Sequence, residues 1–136
     1  MSPTMTAAQR RAQAKHEYDA YLASCPSRRL LDRLSDKWVT LVLSALGERA
    51  MRYSELSRRI AGVSQKMLTQ TLRQLERDGL ATRTVTPSVP VQVDYAITEL
   101  GRSLLTVVHG IKEWAEEHME DVDHHREAFD ATHATR

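Results

Sequence analysis

The clearest pattern of hydrophobic and polar positions lies between Gln65 and Asp78. At about 100° per residue, Leu68, Thr71, Leu72 and Leu75 share one side of a helix, and Lys66, Thr69, Gln70, Arg73 and Arg77 share the other. Ser64 stands at the N-cap and Asp78-Gly79 stops the run. Upstream, Trp38, Leu41, Val42, Ala45 and Leu46 follow i, i+3, i+4, i+7, i+8 behind a Ser35-Asp36 cap, which predicts a helix ended by Gly47. Between these helices, 50–53 reads as a short extended pairing, Ser54 opens a two-turn helix, and Ala61-Gly62-Val63 is a tight turn. Leu80 to Thr86 and Val91 to Ile97 are β-rich runs, and Pro87-Ser88-Val89-Pro90 joins them as a stiff hairpin tip.

The flanks are helical in composition. Residues 5–24 are rich in Ala, Gln, Arg and Glu, and only Tyr18, Tyr21 and Leu22 give them an apolar face. Pro26 suits the first turn of a further helix reaching about Leu34, with Cys25 as its N-cap. Thr98 caps a final long helix in which Leu100, Leu104, Val107, Ile111, Trp114 and His118 are spaced 4, 3, 4, 3, 4, a heptad seam broadened by Val108 and Ala115. Beyond Met119 the pattern lapses, and 122–136 reads as a flexible acidic and His-containing tail.

Three helices, the last two joined by a short Gly turn, followed by a hairpin and a further helix, describe a winged helix-turn-helix. The fold class expected is therefore mainly α with a small β-hairpin. An N-terminal helical extension (1–24) precedes the winged domain (25–97), and a C-terminal dimerisation helix (98–121) precedes the tail. In such a domain the second helix of the motif enters the major groove and the hairpin reaches adjacent backbone or minor groove. Lys66, Arg73 and Arg77 then suit phosphates or guanine, Thr69 and Gln70 suit base edges, and Ser64 and Gln65 at the helix start suit a phosphate. Arg83 and Ser88 are the wing's candidates for DNA contact. An ordinary surface helix would mix acids with bases on its polar face, whereas here no acid precedes Glu76.

Charge sharpens this picture. The net charge of +1 conceals a basic middle, with 12 Lys/Arg against 6 Asp/Glu over residues 25–86, and an acidic end, with 4 against 10 over 87–136. A basic middle beside an acidic end fits a polyanion-binding centre and an end with another task. At 136 residues, 41% hydrophobic and 27% charged, the chain is sized for one globular domain. No apolar run approaches the roughly 18 residues that span a membrane, and no secretory h-region follows Met1, so a cytoplasmic protein is expected. A single cysteine excludes an internal disulfide and a thiolate cluster for zinc.

The order of short motifs then becomes distinctive. Cys25-Pro26, Lys37-Trp38, Tyr53-Ser54-Glu55-Leu56, Ser64-Gln65-Lys66-Met67-Leu68-Thr69 and Leu72-Arg73-Gln74-Leu75-Glu76-Arg77-Asp78-Gly79-Leu80 occur in sequence. They continue through Val89-Pro90, Val93-Asp94-Tyr95 and Thr98-Glu99-Leu100-Gly101. From Cys25 to about Trp114 the chain resembles the HxlR-type bacterial transcriptional regulators. The resemblance implies a winged helix that dimerises through its terminal helices and binds palindromic double-stranded operator DNA as repressor or activator. It departs from that pattern at Ser35-Asp36, where a Gly is frequent, at Ala61, where a Pro is usual, and at Tyr53, which replaces a common Phe. The expected dimer interface comprises Tyr18, Tyr21, Leu22, Leu104, Val107, Ile111, Trp114 and His118, and protonation of His118 is expected to weaken it. Arg10, Arg11 and Lys15 offer residues 1–24 a second use, against DNA.

Some members of the resembled family sense quinones, aldehydes or oxidants through a cysteine at the place of Cys25. The residues themselves allow two uses. A helix dipole with Arg28 and Arg29 nearby favours a reactive thiolate, while a small buried side chain packing under the N-terminal helix is inert. A small electrophile or another small-molecule effector is the partner implied by the first use. The histidines of the tail have no fixed ligand spacing, so neither a metal nor a cofactor is expected. Two other classes compete with a regulator. A winged helix used only for protein contacts would carry compensated charge. An enzyme would need a catalytic set, a phosphate-cradling Gly loop or a held carboxylate pair, and the sequence offers none at an interpretable spacing.

Overall fold

The computed structural model describes residues 4–134. Six helices and three strands follow in the order α1 (Ala7–Ser24), α2 (Pro26–Leu34), α3 (Lys37–Glu48), β1 (Met51–Arg52), α4 (Tyr53–Arg59), α5 (Gln65–Arg77), β2 (Ala81–Thr86), β3 (Gln92–Ile97) and α6 (Glu99–His133). The strands form an antiparallel sheet in the order β1-β3-β2, so the expected hairpin gains a short third strand along its open edge. Met51 lies opposite Tyr95 on one side of β3, and Arg83 lies opposite the same Tyr95 on the other. The fold is a mainly helical winged helix-turn-helix.

Local chemistry fixes the ends of the elements. Asp36 accepts the Trp38 amide at 2.9 Å to start α3, and Ser64 accepts the Met67 amide at 3.1 Å to start α5. Gly62, at φ 82°, makes the turn between α4 and α5, and Gly79, at φ 75°, turns the chain out of α5. The core is built around α3, whose Val39, Val42, Leu43 and Leu46 meet Leu56 of α4, Leu68, Leu72 and Leu75 of α5, and Leu105 of α6. Each of the three α5 leucines contributes about 1.5–3 kcal/mol by burial. Together they clamp one side of the helix and leave the other to solvent.

Three sequence expectations change here. Leu41 is exposed and Val39 and Leu43 are buried, so the inward stripe of α3 is rotated from the one anticipated. Gly47 does not end α3; it lies inside the helix against Leu105, where a Cβ would collide with that side chain. The largest correction concerns 122–136. Its described part, up to His133, is not a frayed tail but the continuation of α6, a single helix of 35 residues. Helix propagation is cheap once nucleated, and neither Gly nor Pro occurs after Gly110 to interrupt it. Stacked pairs one turn apart, Trp114 on His118 (4.7 Å between centroids) and Phe129 on His133 (4.0 Å), line its length.

Candidate nucleic-acid interface

The polar side of α5 is open to solvent. Ser64, Gln65, Lys66, Gln70, Arg73 and Arg77 are exposed and Thr69 is half-buried, while Leu68, Thr71, Leu72 and Leu75 face inward. Thr71 is the one polar member of the inner side, and its hydroxyl is satisfied by donating to the Met67 carbonyl at 2.8 Å. The two-sided division read from the sequence is thus realised in three dimensions.

The wing stands beside this helix. Arg83 of β2 joins Tyr53, Thr69, Arg73, Glu76 and Tyr95 around a cleft of about 420 Å³ between α5 and the sheet. Ser88 lies apart, at the hairpin tip, near Arg52, Tyr53 and Ser54. Its hydroxyl donates to the Pro90 carbonyl at 2.7 Å and its amide to the Thr86 carbonyl at 2.8 Å, so Ser88 also shapes the tip. Arg33, Gln70, Arg73, Gln74, Arg77 and Asp78 border a second concavity at the far end of α5.

Electrostatics separate this face from its surroundings. Arg28 pairs with Asp32, Arg33 with Asp78 at 2.9 Å, Arg49 with Glu55 at 2.6 Å, and Arg59 with Glu48. Among the described residues Lys66, Arg73, Arg77 and Arg83 make no ion pair. Four of the six acids of the basic middle are therefore spent on cations outside α5 and β2. Of the eight Lys/Arg of residues 25–86 left without an ion pair among the described residues, four (Lys66, Arg73, Arg77 and Arg83) cluster on one helix and its wing, a grouping that suits a polyanion. The Arg49 guanidinium, with help from the Arg52 amide, holds the Glu55 carboxyl below its usual range and fixes the start of α4.

Tyr53 is a site residue that sequence reasoning passed over. Its hydroxyl lies 3.0 Å from the Gln65 carbonyl oxygen and 3.4 Å from Thr69 Oγ1, tying α4 to α5. The departure from Phe at this position was the available signal.

Cys25 is half-buried at the junction of α1 and α2. It makes no capping hydrogen bond of good geometry, yet the amides of Arg28 and Ser27 lie close enough to hold its pKa below the ordinary thiol value. The cause is the open end of α2, as the helix-dipole expectation had it, and not the neighbouring guanidinium groups. The expected dimer residues lie on the outside of the single chain: Tyr18, Tyr21, Val107, Ile111 and Trp114 are exposed, and Leu22, Leu104 and His118 are half-buried. His118 Nδ1 lies 2.9 Å from the Trp114 carbonyl oxygen. Among the described residues no helix is long and apolar enough to cross a membrane.

Known proteins share this architecture. The HxlR-like helix-turn-helix family matches residues 33–123. A relative, the uncharacterized HTH-type transcriptional regulator YtfH of Escherichia coli K12, is 39% identical over 111 residues, covering 82% of this chain and 88% of its own. Among solved structures, the redox regulator HypR in its reduced form superposes with a TM-score of 0.68 at 34% identity, covering 73% of this chain and 98% of that one. The reduced form of the transcriptional regulator YodB from Bacillus subtilis gives 0.65 at 33% identity, covering 71% and 96%. A helix-turn-helix with an unpaired cationic face, matched over most of its length by regulators of transcription, is a DNA-binding transcriptional regulator, and the chain belongs to the HxlR-like helix-turn-helix family.

Proposed function

We propose that the chain acts in the cytoplasm as a homodimeric, sequence-specific repressor that places two copies of α5 in successive major grooves of a palindromic operator. The observation that carries this reading is the cluster of exposed cations without ion-pair partners on α5 and β2, Lys66, Arg73, Arg77 and Arg83. Ser64, Gln65 and Lys66 lie at the open helix start for phosphate contact. Thr69 and Gln70, each one turn before Arg73, join it for base edges, and Arg77, Arg83 and Ser88 extend the contact along the backbone. Dimerisation rests on the apolar stripe of α6 (Leu104, Val107, Ile111, Trp114, His118) together with Tyr18, Tyr21 and Leu22 of α1, which the chain's own domain leaves largely uncovered. Selection from a random DNA pool at physiological salt tests the assignment. The wild-type protein should enrich a palindrome with half-sites about 34 Å apart. A Gln70→Ala/Arg73→Ala variant should lose that preference by a factor of at least about 100 while its oligomeric state is unchanged. Operator affinity retained by the double variant sinks the proposal.

A second reading concerns Cys25. Its lowered pKa and its place at the start of α2 support a thiol that an oxidant or electrophile modifies, and two proteins of similar structure, HypR and YodB, were solved in reduced forms. With one cysteine in the sequence, the modified form is an adduct, a mixed disulfide or a disulfide between subunits. Modification at the α1–α2 junction would displace α1 from the dimer and release the operator.

A further inference from the structure

The hydroxyl of Tyr53 contacts two oxygens but owns one proton. The Gln65 carbonyl has no hydrogen to give, so the Tyr53 O–H donates to it at 3.0 Å. The remaining contact, 3.4 Å to Thr69 Oγ1, then has a single polarity, with Thr69 donating and the phenolic oxygen accepting. Thr69 lines the cleft between α5 and the wing with Arg73, Arg83 and Tyr95, and it sits one turn from Arg73 on the exposed side of the helix. Its proton is directed into the protein. What its oxygen offers to the cleft is lone pairs.

We infer that Tyr53 sets the hydrogen-bond polarity of Thr69, making this residue an acceptor-only reader that selects bases presenting an amino group in the major groove. The inference rests on α5 being the recognition helix. Adenine N6 and cytosine N4 are the only such donors on that edge, whereas guanine and thymine present O6, N7 or O4 acceptors. A free threonine hydroxyl accepts or donates by rotation and tolerates all four bases. A tyrosine behind it removes that freedom without touching DNA. Tyr53 is thus a positioning residue, and Phe at the same place leaves Thr69 indifferent.

The test is selection from a random DNA pool with wild type, Tyr53→Phe and Thr69→Ala, each first checked for an unchanged circular dichroism spectrum and dimer mass. Wild type should prefer adenine or cytosine over guanine or thymine by about tenfold at one symmetric pair of positions. Thr69→Ala should erase the preference at that pair and nowhere else. Tyr53→Phe should reduce it to about twofold there while retaining the rest of the motif. A motif in which Tyr53→Phe leaves that pair unaltered, or in which Thr69→Ala changes no position, overturns the inference and spares the recognition-helix reading. A preference for thymine at that pair in all Thr69-containing proteins also overturns it, because the threonine methyl would then be the reader. No enriched motif in wild type overturns both readings.

Discussion

Single residues here derive their chemistry from backbone they do not own. The Cys25 thiol is shifted toward thiolate by the amides of Arg28 and Ser27, so its reactivity belongs to the folded start of α2. Because the folded pKa is depressed, the thiolate fraction at neutral pH exceeds that of a free cysteine. It falls as pH drops through the folded value. Alkylation by iodoacetamide should therefore reach half its maximal rate at a lower pH in the native protein than in urea, and Arg28→Ala should preserve the difference. Identical pH profiles in the native and unfolded protein count against a sensing role. The sequence disclosed the cysteine, its proline and the neighbouring arginines, and so located the site. Which group acts on the sulfur depends on where amide hydrogens point, and Arg28 turns to Asp32 instead. The Tyr53–Thr69 contact was hidden for a related reason, since it joins residues 16 apart across a turn.

At the level of elements, periodicity located every buried helix, set the face of α5 correctly and that of α3 only approximately, and fell silent where no face is buried. The α5 stripe of Leu68, Leu72 and Leu75 was legible because all three enter the core. The end of α6 was not, because after His118 no residue of that helix is buried and no apolar repeat marks it. Glycine misled for another reason. Gly47 is a gap for a neighbour and not a stop signal, and Gly101 serves α6 the same way, where a Cβ would meet the Leu80 carbonyl and the Ile97 side chain. The obstacles differ in kind. Leu105 is a flexible side chain that can turn aside, whereas the Leu80 carbonyl is backbone and receives the Thr98 amide at 3.1 Å. Gly101→Ala should cost about 3 kcal/mol and Gly47→Ala about 1 kcal/mol or less, measured by urea unfolding. Equal losses would show that the α6 docking site yields as a whole.

For the whole molecule, the uneven charge was legible in the sequence, but which acids the other arginines consume, leaving the cations of α5 and β2 unpaired, was not. The proposed dimer is an expectation at this scale. A charge on the α6 stripe should break it: Ile111→Asp should sediment as a monomer at micromolar concentration and lose the palindrome while keeping weak affinity for any duplex. A dimeric Ile111→Asp protein would move the interface elsewhere. One feature of the architecture sets the mechanical scale of any response. The domain grips α6 through its first turns, at Gly101, Leu104, Leu105 and Val108, and some 25 residues, about 38 Å of helix, extend beyond that grip. A rod held at one end is a lever arm. A tilt of about 5° at Val108 sweeps the far end through about 3 Å. Where two such rods are clasped together, the same few degrees appear at the opposite ends, as a change in the distance between the reading heads.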